Sequence, residues 1–217
     1  MMNNSIKSIQ SGLAGLGHDP GPIDGLDGPR TRAAALAYGA GKVPASAPVS
    51  GPADALPWMT EARVPFGWHE VRDNIRLRAW LFSDGKRLGD PKALPWCGDF
   101  VETAIKRGLP NEPFSGALAE NPYWARNWIT FGKRAVPTYG AVLVFERGQQ
   151  SGHVAFAVGE SDKDYFVLGG NQGDAVGVAR LAKTRLLAAR WPATWPYAPT
   201  LLPRMSAGNI PQSVNEF

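Results

Sequence analysis

The sequence predicts an α+β protein in which a small helical module precedes a larger domain of helices packed on an antiparallel sheet. Three observations lead there. Apolar residues recur at helical spacing near the N-terminus and again between residues 97 and 105. From Gly140 onward the pattern turns extended, with apolar runs roughly ten residues apart and turn-forming clusters between them. A Pro/Ala-rich stretch with no apolar period separates the first helices from the rest. With 44% hydrophobic and 19% charged residues over 217 positions, the chain can bury a core, which excludes disorder, collagen and coiled coil.

Taken in order, Ile6, Ile9, Leu13 and Leu16 mark a first helix that Gly17 ends. The turn formers from Asp19 to Pro29 follow, and Thr31 is placed to cap a second helix carrying Ala34, Ala35 and Tyr38. This divides the chain into a helical module over 1–42, a linker over 43–57, a main domain over 58–194 and a tail over 195–217 that wraps on the surface or stays partly disordered. In the main domain, Pro95 starts and Gly108 with Pro110 ends a helix with Cys97, Phe100, Val101, Ala104 and Ile105 on one stripe. A second helix is expected from Asn121 as cap and Pro122 as first residue through Phe131, with Trp124, Trp128 and Ile129 turned inward. Strands are expected at 141–145, 153–159, 165–168 and 176–181, forming an antiparallel meander.

Cys97 is the chain's one cysteine, so no internal disulfide and no all-cysteine metal site can form. In the first turn of a helix it meets unpaired backbone N–H groups and the positive dipole end, both of which favour the nucleophilic thiolate. A buried, inert cysteine is the plainer alternative. His153 starts a strand after a Gln-Gln-Ser-Gly turn, where a general base can project from one sheet face. His18 and His69 stand in turn-rich or polar surroundings and are weaker candidates. One strand beyond His153, Asn171 and Gln172 offer an amide that can fix the tautomer of a catalytic histidine, and either suits the role. Trp96, Trp124 and Trp128 can border a substrate groove or fill the core.

The order Pro-Trp-Cys-Gly-Asp-Phe-Val (95–101), Gly-Ala-Val-Leu-Val-Phe-Glu-Arg-Gly (140–148), Gly-His-Val-Ala-Phe-Ala-Val-Gly (152–159) and Val-Leu-Gly-Gly-Asn-Gln (167–172) resembles the papain-like cell-wall peptidases of the NlpC superfamily and their CHAP relatives, over roughly residues 90 to 192. The resemblance implies a papain-like domain, a peptidoglycan substrate, Cys97 as nucleophile, His153 as base, Asn171 as orienting residue and Gln172 beside the substrate. Members commonly carry Gly-Asp before the first strand, where this chain has Gly140-Ala141. Residues 16–31, with Asp24-Gly25 in a glycine-rich turn, are similar to the repeat of helical peptidoglycan-binding domains, which makes Asp24 and Gly25 candidate wall contacts. The usual third helix of that repeat would fall in the linker.

The balance of +4 is too small for a nucleic-acid partner and suits weak steering toward an anionic polymer. Neither a cofactor nor a metal is implied, since a zinc peptidase needs more ligands than three histidines readily supply. No secretory signal and no span of about 20 apolar residues is visible, so the reading is a monomer made in the cytoplasm, not inserted in a membrane. It would act at the wall or periplasm after release by a holin or a secretion system: a phage or prophage endolysin. The alternatives are an antibacterial amidase toxin, a cysteine peptidase acting on proteins, and a non-catalytic wall-binding protein on a peptidase-like fold.

Overall fold

The computed structural model describes residues 4–16, 18–39, 56–197 and 199–206. Its frame is a six-stranded, wholly antiparallel sheet in the order β1-β6-β2-β3-β4-β5. Four strands come from the expected meander: β2 (Val142–Arg147), β3 (Ser151–Glu160), β4 (Asp164–Gly169) and β5 (Gly177–Ala182). Their apolar runs are buried on both faces, as a central sheet covered on two sides requires. Two strands went unread. β1 (Lys133–Arg134) is too short to carry a pattern, and β6 (Leu186–Trp191) reads Leu-Leu-Ala-Ala-Arg-Trp, with no alternation to mark it.

Helix α5 (Cys97–Gly108) lies against β3 and β4 and buries Phe100, Val101, Ala104 and Ile105 completely. Phe100 sits between Trp80 and Phe156, with centroids 5.5 and 6.2 Å away. Burying one such ring contributes about 2–3 kcal/mol. The preceding helices, α3 (Pro57–Arg63) and α4 (Asn74–Leu81), pack on α5 and have no counterpart in the sequence reading. Pro57 opens α3 and Leu56 is buried, so the last two positions assigned to the linker belong to the folded body; its positions 43–55 lie outside the described residues.

α1 (Asn4–Gly15) and α2 (Pro29–Gly39) form as the periodicity requires, with Ile6, Ile9, Leu13, Ala34 and Tyr38 buried. α2 starts at Pro29, a residue suited to the first helical position because it lacks only a donor that would be unpaired there. Thr31 therefore lies inside the helix rather than capping it, and its hydroxyl donates to Pro20 O at 3.0 Å. The expected stop at Gly17 lies outside the described residues. α1 packs on β5, where a Cβ on Gly12 would lie 3.1 Å from Val178 Cβ, and Tyr38 meets Phe66 edge-on at 4.5 Å. The apolar residues of both helices thus belong to the same core as the sheet.

After the short helix α6 (Gly116–Glu120), the second helix expected in the main domain is a 3-10 turn over Ala125–Thr130. Asn121 and Pro122 lie outside it, and Asn121 Oδ1 instead accepts from Trp124 N at 3.2 Å. Only Trp128 of the three residues expected inside is fully buried; Trp124 is 46% and Ile129 37% exposed. A 3-10 turn has three residues per turn, so the 3.6-residue stripe does not apply to it. Beyond β6, residues 201–205 run beside the end of β3, with Met205 N donating to Glu160 O at 2.9 Å and Leu202 buried. Of the expected tail, 207–217 lies outside the described residues.

Candidate active site

Two chain crossings bring the chemistry together. Cys97 is the first residue of α5, and His153 stands third in β3, the strand on which α5 rests. Close approach demands glycine beside each. A Cβ on Gly98 would lie 2.5 Å from both Pro122 O and Tyr123 O, and one on Gly152 would lie 2.8 Å from Phe145 O. The segment 122–126 therefore runs across both sites: its start meets the neighbour of Cys97, and Ala125 and Arg126 meet Gly152, the neighbour of His153. Trp124 lies between these contacts and is the exposed member of the three tryptophans singled out from sequence.

The His153 side chain lies close enough to the Cys97 thiol to perturb its titration. Burial alone would raise that thiol's pKa; the His153 hydrogen bond and charge, with the backbone N–H groups of Val154 and Gly98, outweigh burial and hold it below the ordinary thiol value. His153 Nε2 lies 3.1 Å from Gln172 Oε1. The orientation of that amide is fixed by what it donates to: Gln172 Nε2 reaches Gly177 O at 2.6 Å and Val167 O at 3.3 Å. With both amide hydrogens spent on carbonyls, the oxygen faces the ring, so the ring donates from Nε2 and Nδ1 is the nitrogen presented to sulfur. Cys97 is 5% exposed and His153 is fully covered, so both side chains are almost wholly buried.

The structure corrects several assignments. The amide on His153 is that of Gln172 rather than Asn171, which makes Gln172 a partner of the histidine. Asn171 is buried at φ 57°, a left-handed conformation that asparagine tolerates better than most residues, and it shapes the turn that presents Gln172. Trp96 is fully buried rather than bordering a groove: its ring packs on Gly170, where no Cβ would fit, and its Nε1–H donates to Glu70 Oε2 at 2.9 Å. Trp128 is likewise core, donating to Pro122 O at 2.7 Å. Asp24 Oδ1 accepts from Gln10 Nε2 and Leu26 N, both at 2.9 Å, and Gly25 N donates to Gln10 Oε1 at 2.9 Å with φ 80°. Both residues thus brace the glycine-rich loop against α1. Ala141 is fully buried, which is why an aspartate has no place there in this chain. His18 packs edge-on to Tyr38, and His69 Nδ1 accepts from Val71 N, so neither joins the pair.

Glu70 was missed because a glutamate 27 residues before the cysteine carries no local signal; only the folded chain places it on Trp96. Among the described residues, no group of three or more His, Cys, Asp and Glu side chains could hold a metal ion, and no helix is long and apolar enough to cross a membrane. Comparison of the chain with known protein families, with characterised proteins and with solved structures finds no match.

Proposed function

We propose that the protein is a papain-like cysteine hydrolase that cleaves an amide bond in the peptide part of peptidoglycan, with Cys97 as nucleophile, His153 as base and Gln172 as the residue that orients it. The observation that carries the proposal is an imidazole held from behind by Gln172, on the strand against which the helix that starts at the lone cysteine packs. The peptidoglycan substrate rests on the resemblance of the 95–101, 152–159 and 167–172 motifs to cell-wall peptidases.

The chemistry follows. Cys97 Sγ, its proton on His153 Nδ1, attacks the carbonyl carbon and forms a tetrahedral oxyanion, which backbone N–H groups around Cys97 would stabilise. Collapse breaks the C–N bond as Nδ1 returns the proton to the leaving amine, leaving a thioester on Cys97. Water, deprotonated by Nδ1, then attacks the thioester and releases the carboxylic acid and the thiol. Gln172 accepts the Nε2–H throughout, so that Nδ1 is the nitrogen that takes up and returns the proton. A holin-released phage lysin and a secreted amidase toxin both use such a site.

Purified sacculi test this reading. Wild-type protein should release soluble fragments that carry new amino and carboxyl termini, identified by mass spectrometry. Cys97→Ala and His153→Ala should each lower the rate at least 10²-fold, the lower end of what a general base contributes, while leaving the melting temperature near wild type. Undiminished clearing by Cys97→Ala would overturn it, and binding to sacculi without fragments would favour a wall-binding protein.

A further inference from the structure

The nucleophile and the turn that orients its base lie on separate elements, and one residue outside both bridges them, its main chain on the turn and its side chain on the residue before the nucleophile. Segment 67–70 runs alongside 174–176: Gly67 N donates to Val176 O at 2.9 Å, Val176 N to Trp68 O at 3.0 Å, Glu70 N to Asp174 O at 2.8 Å, and His69 pairs with Ala175. Gln172 N closes the same turn by donating to Ala175 O at 3.0 Å. The main chain of Glu70 is thereby fixed to the turn that carries Gln172. Its side chain turns the other way and accepts the indole N–H of Trp96, the residue immediately before Cys97. Trp96 in turn lies on Gly170, so closely that neither it nor Phe100, whose Cβ would be 2.8 Å from a Cβ there, leaves room for any other residue.

We propose that Glu70 is a positioning residue for the Cys97–His153–Gln172 site, holding the residue before the nucleophile in register with the turn that orients the histidine. The physical need is plain. Trp96 is fully buried, and a buried indole N–H must find an acceptor or bear the cost of its desolvation. Without Glu70 the ring has reason to rotate, and rotation shifts the first turn of α5 relative to Gln172. A sub-ångström displacement there lengthens the bond from sulfur to imidazole, the bond that holds the thiol acidic. Glutamine at position 70 offers the same acceptor at the same reach, whereas alanine offers none. The catalytic consequence rests on the hydrolase reading above; the geometric one does not.

The chain has one cysteine, so the rate of iodoacetamide alkylation against pH reads the ionisation of Cys97 alone. Wild type should show a midpoint well below the ordinary thiol value. Glu70→Ala should move it up by about one pH unit or more, toward the free-thiol value near 8.5, and lower kcat on sacculi about tenfold with little change in KM. Glu70→Gln should restore both. Trp96→Phe, which keeps a ring and removes the donor, should reproduce the alanine phenotype, and the double variant should be no worse than either single one. Should Glu70→Ala fail to fold, Trp96→Phe against Glu70→Gln carries the same comparison. A wild-type alkylation profile in Glu70→Ala or Trp96→Phe overturns the proposal. Wild-type protein that alkylates as an ordinary thiol instead defeats the hydrolase reading, and it does so whatever Glu70 does.

Discussion

At the scale of single residues, the instructive choice is between two adjacent amides. Gln172 supplies the oxygen on His153 because Gly177 O and Val167 O claim its amide hydrogens. Gln172→Ala should therefore lower kcat on sacculi by roughly 10²-fold, toward the low end of a general base's contribution, since the base remains but its tautomer is no longer fixed. Gln172→Glu should be the less stable variant: its carboxylate can accept from the ring but cannot donate to the two carbonyls, and each buried acceptor left unpaired costs about 1–3 kcal/mol. Asn171→Gly should hold activity far better than Gln172→Ala, because φ 57° suits glycine and the amide on the ring is retained. Steady-state kinetics and thermal melts of the three variants separate these outcomes; equal losses for Asn171→Gly and Gln172→Ala would return the orienting role to Asn171. Cys97 and His153 were legible in the sequence because local signals mark them: a proline and a helical stripe around one, a turn and an apolar run around the other. The choice between Asn171 and Gln172 was not, since it is made by carbonyls five residues away on either side.

At the scale of elements, α5 carries two environments on one helix. Its sheet face is apolar, and a flank bears the buried Asp99 and Glu102, which with the half-buried Asp84 form an acidic group near Lys86, Lys106 and Tyr123. Lys86 Nζ lies 3.0 Å from Glu102 Oε1, and among the described residues Asp99 has no hydrogen-bond partner on either oxygen. Burial, followed by the charges of Asp84 and Glu102, pushes the Asp99 carboxyl up to about 8. Its folded pKa thus exceeds its unfolded value near 3.9, so the native state holds a proton that the unfolded chain releases. Its contribution to stability is complete below about pH 4, falls as the pH rises through 4–8 and is lost above about 8. Asp99→Asn, which keeps the neutral shape, should make Tm less sensitive to pH across that window and raise it at pH 8 relative to pH 5; identical slopes for variant and wild type would show Asp99 to be ionised in the fold. The strands and α5 could be read from sequence because one periodicity governs each. α3, α4 and β6 could not, because contacts distant in sequence decide them: Gly108 takes the backbone of Trp58 against it, and β6 inserts between β1 and β2.

At the scale of the whole molecule, the question is whether the N-terminal helices are a tethered wall binder or part of the fold. Composition suggests the first, since a Pro/Ala-rich stretch follows them and the glycine-rich loop resembles a wall-binding repeat. Packing argues for the second. Ile6, Ile9, Leu13 and Tyr38 are buried in the core shared with β5 and Phe66, and Ser5 Oγ donates to Gly173 O at 2.6 Å in the very turn that presents Gln172. Asp24, Gly25 and Thr31 spend their polar groups on Gln10 and neighbouring backbone, which leaves the loop rigid but poorly supplied with groups for a ligand. Each buried aliphatic or aromatic side chain contributes about 1.5–3 kcal/mol relative to exposure, so four of them exceed what a weak tether would leave. Removing residues 1–42 should therefore lower Tm by 10 °C or more, at about 2–4 °C per kcal/mol for a chain of this size, and slow catalysis through the loosened Gln172 turn. The full-length protein should unfold in one calorimetric transition. A truncated protein that melts like the full-length chain and loses only its affinity for sacculi would instead mean that the helices dock without stabilising, and that wall binding is their function.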